Sequence, residues 1–219
     1  MREIVLATGN PHKFRELTGL LRVRGVRWRS LAECPTVRPV RETGRTFEAN
    51  AEKKALAVAR ATGLWAIADD SGIEVKALDW APGVRSARFA GRHGSDAANN
   101  RKLLRLLRDV SAPRRMARYR CVLALASPTR VHALTRGVWW GRIATTPAGQ
   151  GGFGYDPIFW LPARGKTVAQ LPASLKQRLS HRALAARRMQ RVLSSLTRRL
   201  RAAGRSGRGS RRATIARAA

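Results

Sequence analysis

The chain is poor in cysteine, in acidic residues and in long apolar stretches, and each shortage excludes a class of protein. Its 219 residues include only Cys34 and Cys121, whose spacing fits no metal-binding motif, and Cys121 lies in an apolar run that predicts a buried, reduced thiol. No apolar stretch approaches the roughly 20 residues that span a bilayer. Glu3 and the polar residues 8–10 interrupt any signal-peptide core, so we expect a cytoplasmic protein without membrane contact.

The acidic shortage is uneven along the chain. There are 44 Lys+Arg against 13 Asp+Glu, a formal charge of +31, and no acidic residue follows Asp156. Such a surplus favours nonspecific contact with polyanions, here through the basic C-terminal tail. Two interpretations stay open: a compositional bias toward arginine with a solvated tail, or functional binding of nucleic acid.

The pattern of apolar and turn residues predicts an α/β fold with some antiparallel strands. Residues 3–7, apolar except for Glu3, predict a strand, and Asn10 caps the helix that follows, with Pro11 at its first position. Thr46 caps a second helix over 47–62, which Gly63 ends. Further strands are expected at 23–28, 65–68, 72–78, 119–126 and 131–138, and loops at 34–45 and 79–94.

The C-terminal half is predicted to be more helical. Asp96 is expected to cap a helix to about Val110, with Leu103, Leu104, Leu106 and Leu107 facing inward. A last helix is expected over 175–201. Residues 204–219 have no core-forming content and are predicted to be disordered. We therefore divide the chain into one domain, residues 1–203, and a basic tail, residues 204–219.

Two adjacent acids, Asp69 and Asp70, follow an apolar strand and precede Ser71-Gly72. Neighbouring carboxylates repel each other unless a cation or hydrogen-bond donors neutralise them. Mg²⁺ suits this task, because it binds few carboxylates together with phosphate oxygens and water. One acid would then bind metal while the other orients or deprotonates water. The alternative is a turn in which the aspartates make only local hydrogen bonds.

Three other segments suggest ligand contacts. Residues 8–13 join a strand to a helix start and carry Lys13, an arrangement that favours phosphate; the alternative is a capped surface helix. Glycines surround Phe153 in residues 151–157, which would allow close approach and stacking; the alternative is a tight hairpin. Arg182 can only donate hydrogen bonds, so it could select a keto oxygen over an amino group, unless it is one more solvated arginine.

Taken in order, these segments resemble the inosine triphosphate pyrophosphatase family, also called the non-canonical purine NTP pyrophosphatases or HAM1-like family. The matching motifs are Thr8-Gly-Asn-x-x-Lys13, Thr46-Phe47, Asn50-Ala51-x-x-Lys54-Ala55, Ala68-Asp-Asp-Ser-Gly72, Ala81-Pro-Gly-Val-x-Ser-Ala-Arg-x-Ala-Gly91, Gly152-Phe-Gly-Tyr-Asp-Pro-Ile-Phe159 and Lys176…Ser180-His-Arg182. The similarity covers about residues 2–195.

The resemblance implies an elongated, two-lobed mixed sheet flanked by helices, with the active site in the cleft between the lobes. It also implies a Mg²⁺-dependent hydrolase, usually a homodimer, that cleaves dITP, ITP or XTP to the monophosphate and pyrophosphate. Such an enzyme clears deaminated purines from the nucleotide pool. One alternative is a basic nucleic-acid-binding protein on the same scaffold, with weak or lost catalysis. Another is the same kind of enzyme acting on other substrates, for example canonical or pyrimidine triphosphates.

The resemblance also assigns roles to individual residues. Asp70 would accept the proton of the attacking water, and Glu42, Asp70 and, as a further ligand, Asp69 would hold the metal. The substrate would be bound by Thr8, Gly9, Asn10 and Lys13 at the triphosphate, by Ser71, by Phe153, Gly154, Tyr155 and Asp156 around the base, and by Lys176, His181 and Arg182 at its polar edge. Several positions depart from the family pattern: Ala49 replaces a common Glu, with Glu48 one place earlier, Trp80 replaces a usual Gly, Gln177 a usual Asn and Gln170 a common Glu, and Arg41 adds positive charge beside Glu42.

Overall fold

A mixed sheet forms the centre of the molecule. The computed structural model describes residues 3–91 and 95–215, with side chains described up to residue 198. Within these ranges seven strands pair in the order β2-β1-β3-β4-β5-β6-β7. They are β1 (Glu3–Leu6), β2 (Arg27–Arg29), β3 (Trp65–Val75), β4 (Met116–Ala126), β5 (Val131–Ile143), β6 (Phe159–Leu161) and β7 (Lys166–Thr167). β1 is parallel to β2 and β3, and the other pairs are antiparallel.

Helices complete the α/β fold that the sequence predicts. The α-helices in the described ranges are α1 (Pro11–Leu20), α2 (Phe47–Thr62), α3 (Asp96–Leu106), α4 (Ala173–Leu179) and α5 (His181–Ile215). Short 3₁₀ helices lie at Leu31–Glu33, Lys76–Leu78, Gly83–Arg88, Ala112–Arg114, Pro162–Arg164 and Val168–Gln170. The predicted caps of the first two helices are confirmed: Asn10 accepts from the amides of His12 and Lys13, and Thr46 accepts from the amide of Ala49.

The two faces of the sheet pack against different helices. One core, on the α2 side, contains Val5, Ala51, Ala55, Ala66 and Ala68. The opposite core, under α1 and α5, contains Ile4, Leu17, Ile67, Ala185 and Met189. Successive residues of a strand point to opposite faces. Ile67 and Asp69 therefore share the α1/α5 face of β3, whereas Ala68 and Asp70 share the α2 face.

Residues 69–72 form no turn, contrary to the prediction. β3 runs unbroken from Trp65 to Val75 and keeps a continuous antiparallel register with β4, with Asp69 opposite Leu123 and Asp70 opposite Val122. The ladder hydrogen bonds to β4 extend the strand through a segment whose local sequence favours a turn.

Other predicted elements also differ from the structure. The strand expected at 23–28 is β2, which covers only Arg27–Arg29. α3 is capped by Ser95 and ends at Leu106, before Val110. Leu103 and Leu107 are buried as expected, but Leu106 is 46% exposed, because a 3.6-residue period aligns residues 103 and 107 and turns 106 away. The predicted loop 79–94 includes the 3₁₀ helix at 83–88, and its residues 92–94 lie outside the described ranges.

The predicted last helix is two helices. Ser180 is extended between α4 and α5, and its hydroxyl accepts from the amide of Ala183, so it starts the second helix. α5 continues to Ile215, past the end expected near residue 201. The division of the chain at residue 203 stays a prediction, and residues 216–219 of the predicted tail lie outside the described residues.

Both cysteines of the chain lie in its described part. Cys121 is fully buried with a free thiol, as expected, and burial raises its pKa to about 12. Cys34 is also buried and free. Across residues 3–91 and 95–215, no helix combines the length and apolar character needed to cross a bilayer.

Candidate active site

Asp69 and Asp70 point away from each other, because they are neighbours in one strand. On the α1/α5 face, Asp69 Oδ2 lies 2.9 Å from Lys13 Nζ. On the α2 face, Asp70 Oδ2 accepts from Asn50 Nδ2 at 2.9 Å, and its Oδ1 lies 3.7 Å from Lys54 Nζ. Each carboxylate therefore has its own cation, and the repulsion expected for two acids in a shared turn is relieved.

The two carboxyl groups differ in acidity. Burial is the largest influence on both and raises the pKa. At Asp69 it is outweighed by the positive charges of Lys13, Arg182 and Lys54, which lower the pKa below its usual range. At Asp70 burial prevails over the attraction of Lys54, and the negative charge of Glu42 adds to it, so the pKa rises to about 6. Asp70 is thus the acid suited to exchange a proton near neutral pH.

Glu42 joins Asp70 around the Lys54 ammonium. Lys54 Nζ bonds to Glu42 Oε1 as well as lying near Asp70, and Arg88 Nη1 is 3.6 Å from Glu42 Oε2. Side chains of described residues form no group of three or more His, Cys, Asp or Glu that could hold an ion. Two carboxylates still fit Mg²⁺, which completes its shell with phosphate oxygens and water. Asp69 lies on the opposite face and is engaged by Lys13.

Glu48 does not take the place of the acid that the family commonly has at position 49. Its Oε1 accepts from Arg120 Nη2 at 3.2 Å and from Arg136 Nε at 2.7 Å, both on the β4–β5 part of the sheet. Burial raises the pKa of Glu48, but the hydrogen bond from Arg136 and other favourable contacts outweigh it and lower the pKa. Glu48 therefore acts as an ion-pair partner of the sheet.

The first predicted ligand segment forms a tight cap at the start of α1. Asn10 Oδ1 accepts from the amides of His12 and Lys13 at 2.9 and 3.2 Å, and Thr8 Oγ1 accepts from the amide of Asn10 at 3.2 Å. Gly9 has nothing within 4 Å of where a Cβ would be. Asn10 and Lys13 line the main cleft. A helix start and a lysine are thus presented together, which favours phosphate.

Phe153 lines the same cleft together with the polar side chains of Lys176, His181 and Arg182. Its ring lies 4.5 Å from Lys176 Nζ and 5.5 Å from Arg182 Cζ, and stacks on His12 with centroids 5.5 Å apart. His181 and Arg182 are only 5% and 3% exposed. Within the described residues, His181 Nδ1 and Arg182 Nε are buried without a protein partner. Both residues line the cleft.

The buried carboxylate of Asp156 binds the glycine-rich loop that carries Phe153. Its Oδ2 accepts from the amide of Phe153 at 3.0 Å and from Lys176 Nζ at 2.7 Å, and its carboxylate is 4% exposed. Gly152 has φ +77°, and a Cβ there would come within 2.0 Å of Asp156 Oδ2, so the loop can wrap the carboxylate only with glycine at this position. The sequence prediction gave Asp156 a direct contact with the base. In the structure its carboxylate binds the Phe153 amide and the Lys176 ammonium.

The neighbours of Asp156 in the loop are fixed by other elements. The Gly154 amide donates to Asp96 Oδ2 at 2.6 Å, and the Gly154 carbonyl accepts from Asn100 Nδ2 at 3.1 Å. Tyr155 donates its hydroxyl to the Ser86 carbonyl at 2.7 Å. Helix α3 and the 83–88 segment therefore set the position of Phe153.

One cleft brings most of the predicted site residues together. It is lined by Asn10, Lys13, Ser71, Phe153, Gly154, Tyr155, Asp156, Lys176, His181 and Arg182, among others. Thr8, Gly9, Glu42, Asp69 and Asp70 are not part of this lining. Asp69 adjoins it, because its Oδ2 accepts from the Ser71 hydroxyl at 3.1 Å.

The chain is similar to known proteins over most of its length. The Ham1 family model matches residues 4–192. The chain belongs to the Ham1 family. The chain is 50% identical over 185 residues to the dITP/XTP pyrophosphatase of Geobacillus kaustophilus, covering 84% of this chain and 91% of that protein. It is 43% identical over 195 residues to the dITP/XTP pyrophosphatase of Bacillus subtilis, covering 89% and 98%.

Solved Ham1 structures have the same fold. The HAM1 protein from Coxiella burnetii superposes with a TM-score of 0.83 at 41% identity, covering 89% of this chain and all of that one. The Staphylococcus aureus Ham1 protein gives a TM-score of 0.80 at 39% identity, covering 88% and 98%. The predicted family and α/β class are thereby confirmed.

Sequence reasoning assigned no role to several residues that build this Ham1 site. Glu16 bonds to Arg182 Nη1 and lies 3.0 Å from Lys176 Nζ, so one carboxylate holds both cations. Burial raises the pKa of Glu16, but Arg182 and Lys176 outweigh it and lower the pKa. The sequence could have predicted that Asn50 and Lys54 act together, since residues four apart share a helix face. No local pattern predicts the role of Glu16, because its partner Arg182 is 166 residues away in the sequence.

Proposed function

We propose that this protein hydrolyses the non-canonical purine nucleoside triphosphates dITP, ITP and XTP to the monophosphate and pyrophosphate, and so clears deaminated purines. The observation that carries the proposal is the combination of lysine-paired acids with buried hydrogen-bond donors. Each acid has its own lysine, Asp69 with Lys13 on one face of β3 and Asp70 with Lys54 on the other. Buried hydrogen-bond donors lie beside Phe153 in the cleft that Lys13 also lines. The lysines would bind a triphosphate, and the donors beside Phe153 would bind a keto-purine. The dITP/XTP pyrophosphatases among its relatives support the assignment.

Base selection follows from the donors at the Phe153 end. Lys176 and Arg182 carry no acceptor, so a 6-keto oxygen can accept from them while a 6-amino group cannot. Burial lowers the pKa of His181 first of all, and the charges of Arg182 and Lys176 lower it further, so its ring is neutral and can also bond to the base. An adenine would leave buried donors unpaired, a mismatch that rejects substrates by several orders of magnitude.

Asp70 is the proton acceptor in this proposal. Its pKa of about 6, raised mainly by burial, leaves it ionised at pH 7.5 yet basic enough to take a proton from water that attacks the α-phosphorus. Asn50 fixes one carboxylate oxygen at 2.9 Å. The other oxygen faces Lys54, whose ammonium, with that of Lys13, would stabilise the charge that develops on the leaving pyrophosphate.

Glu42 and Asp70 would hold the Mg²⁺ ion that the resemblance implies. Their carboxylates face one position, now shared with the Lys54 ammonium, and provide the hard oxygen donors that the ion prefers. When bound, Mg²⁺ would act as a Lewis acid toward phosphate oxygens. Asp69 would contribute indirectly by holding Lys13. Family membership further supports a cytoplasmic homodimer, which light scattering of the purified protein would test.

The test is pyrophosphate release with Mg²⁺ from dITP, XTP, dGTP and dATP, with Asp70→Asn as the control. Fast release from dITP and XTP alone, abolished by the substitution, is the expected result. No release from any of the four by folded protein would overturn the proposal. The nucleic-acid-binding alternative would then be favoured, and its signature is an affinity for polynucleotides that falls steeply with salt.

A further inference from the structure

Tyr119 contacts both Asp156 of the glycine-rich loop and His181 at the start of α5, although it belongs to none of the predicted motifs. It lies in β4, is 6% exposed and lines the cleft. Its hydroxyl donates to Asp156 Oδ1 at 3.2 Å. Its ring stacks on His181 with centroids 4.6 Å apart and planes at 13°, and on Phe159 at 4.3 Å. One side chain thus links the glycine-rich loop to the start of α5.

The hydroxyl matters because it completes the coordination of Asp156. The loop amide of Phe153 and the ammonium of Lys176 both donate to Oδ2, while Oδ1 accepts from Tyr119. A buried carboxylate with one unsatisfied oxygen is unfavourable, and it can rotate away from the donors on its other oxygen. Burial raises the pKa of the Tyr119 hydroxyl, and the charge of Asp156 raises it further, so the group stays a donor.

We infer that Tyr119 is a positioning residue for base recognition, acting through Asp156 on the Phe153 loop and the Lys176 ammonium. This inference rests on the proposed function, because it concerns how the same site binds a keto-purine. The hydroxyl does not reach the reacting phosphate end in this scheme. Its loss should therefore weaken substrate binding and base selection more than the chemical step.

The test is Tyr119→Phe, which removes the hydroxyl and keeps the ring stacks. A hydrogen bond to a charged group contributes enough for a loss of about tenfold or more in kcat/KM for dITP. We expect that loss mainly as a raised KM, with a smaller preference for dITP over dATP. In an Asp156→Asn background the same change should have little further effect, because the path through the carboxylate is already broken.

Thr135→Val is the matched control for losing a buried hydroxyl. Thr135 Oγ1 donates to the Ala185 carbonyl at 3.0 Å, away from the cleft lining. It should lower the melting temperature about as much as Tyr119→Phe while leaving KM and base preference within about twofold. If Tyr119→Phe behaves like this control, its role is structural and the inference is wrong.

Amide hydrogen exchange of residues 151–156 separates this inference from the proposed function, because it needs no turnover. Exchange at the Phe153 amide should accelerate in Tyr119→Phe and stay unchanged in Thr135→Val. If wild-type protein cleaves no nucleotide but exchange accelerates, the proposed function fails and the positioning role stands. If exchange is unchanged, the positioning role fails whatever the activity.

Discussion

Asp70→Asn should abolish turnover and yet stabilise the metal-free protein. The carboxyl of Asp70 has a pKa of about 6 against an ordinary 3.8, chiefly because it is buried and further because Glu42 is negative. At about 1.4 kcal/mol per tenfold change in acidity, its ionisation costs about 3 kcal/mol more in the folded protein than in the unfolded chain. The amide removes this cost and can still accept from Asn50. We expect a stability gain of up to about 3 kcal/mol at pH 7.5.

The gain should depend on pH in a defined direction. The folded pKa of Asp70 is raised, so the wild type bears the whole penalty above about pH 6. The penalty disappears as pH falls toward 4, where the folded protein holds the proton. The curves of wild type and Asp70→Asn should therefore converge between pH 6 and pH 4.

The neighbouring substitution, Asp69→Asn, should act in the opposite direction. Burial raises the pKa of Asp69, but Lys13, Arg182 and Lys54 outweigh it, so the folded pKa lies below the ordinary 3.8. Such a group contributes stability above pH 4 and loses it as pH falls through the folded pKa. Removing it leaves Lys13, whose side chain is 20% exposed, without its partner. We expect a loss of about 3 kcal/mol at pH 7.5.

Urea denaturation in EDTA at pH 5.0 and pH 7.5 measures both effects. Asp109→Asn is the control, because the Asp109 side chain is 86% exposed and its change should stay within about 0.5 kcal/mol. The reasoning is refuted if Asp70→Asn is less stable than wild type at pH 7.5, or if the two adjacent substitutions shift stability in the same direction.

Three further outcomes follow from single contacts. Glu16→Gln should raise KM for dITP about tenfold in steady-state assays, because Arg182 loses its charged partner; an unchanged KM would contradict this. Gly137→Ala should lower the melting temperature by several degrees, since a Cβ would come within 1.9 Å of the His181 carbonyl; scanning calorimetry checks it. Glu48→Gln should leave Mg²⁺ affinity, measured by calorimetry with a nonhydrolysable substrate analogue, within about twofold; a large loss would make Glu48 a metal ligand.

Local sequence signals predicted much of this fold. Asn10 and Thr46 start helices because their side chains satisfy free amides within three residues of themselves. The bounds of α2, residues 47–62, were predicted in full for the same reason. Such signals depend only on neighbouring residues, and they correctly placed residues 8–13 at a strand–helix junction.

Long-range pairing explains the failures. The local sequence Asp-Asp-Ser-Gly favours a turn, but β4, about 50 residues later, pairs with it as a continuous strand. Once residues 69 and 70 are in a strand, their opposite orientation and their different lysine partners follow directly. Without that fact, the sequence prediction placed both acids at a turn between two strands. The structure separates an acid with a raised pKa from one with a lowered pKa.

The charge composition also gains meaning from the site. Seven of the 44 basic residues are lysines, yet Lys13, Lys54 and Lys176 all lie in the site and each contacts a carboxylate. Three of the seven lysines thus lie where a compact point charge meets one or two carboxylates. The planar guanidinium is larger and directs its donors in a fixed fork. Arginine is not confined to the surface, however, because Arg182 is 3% exposed and binds Glu16 within the cleft.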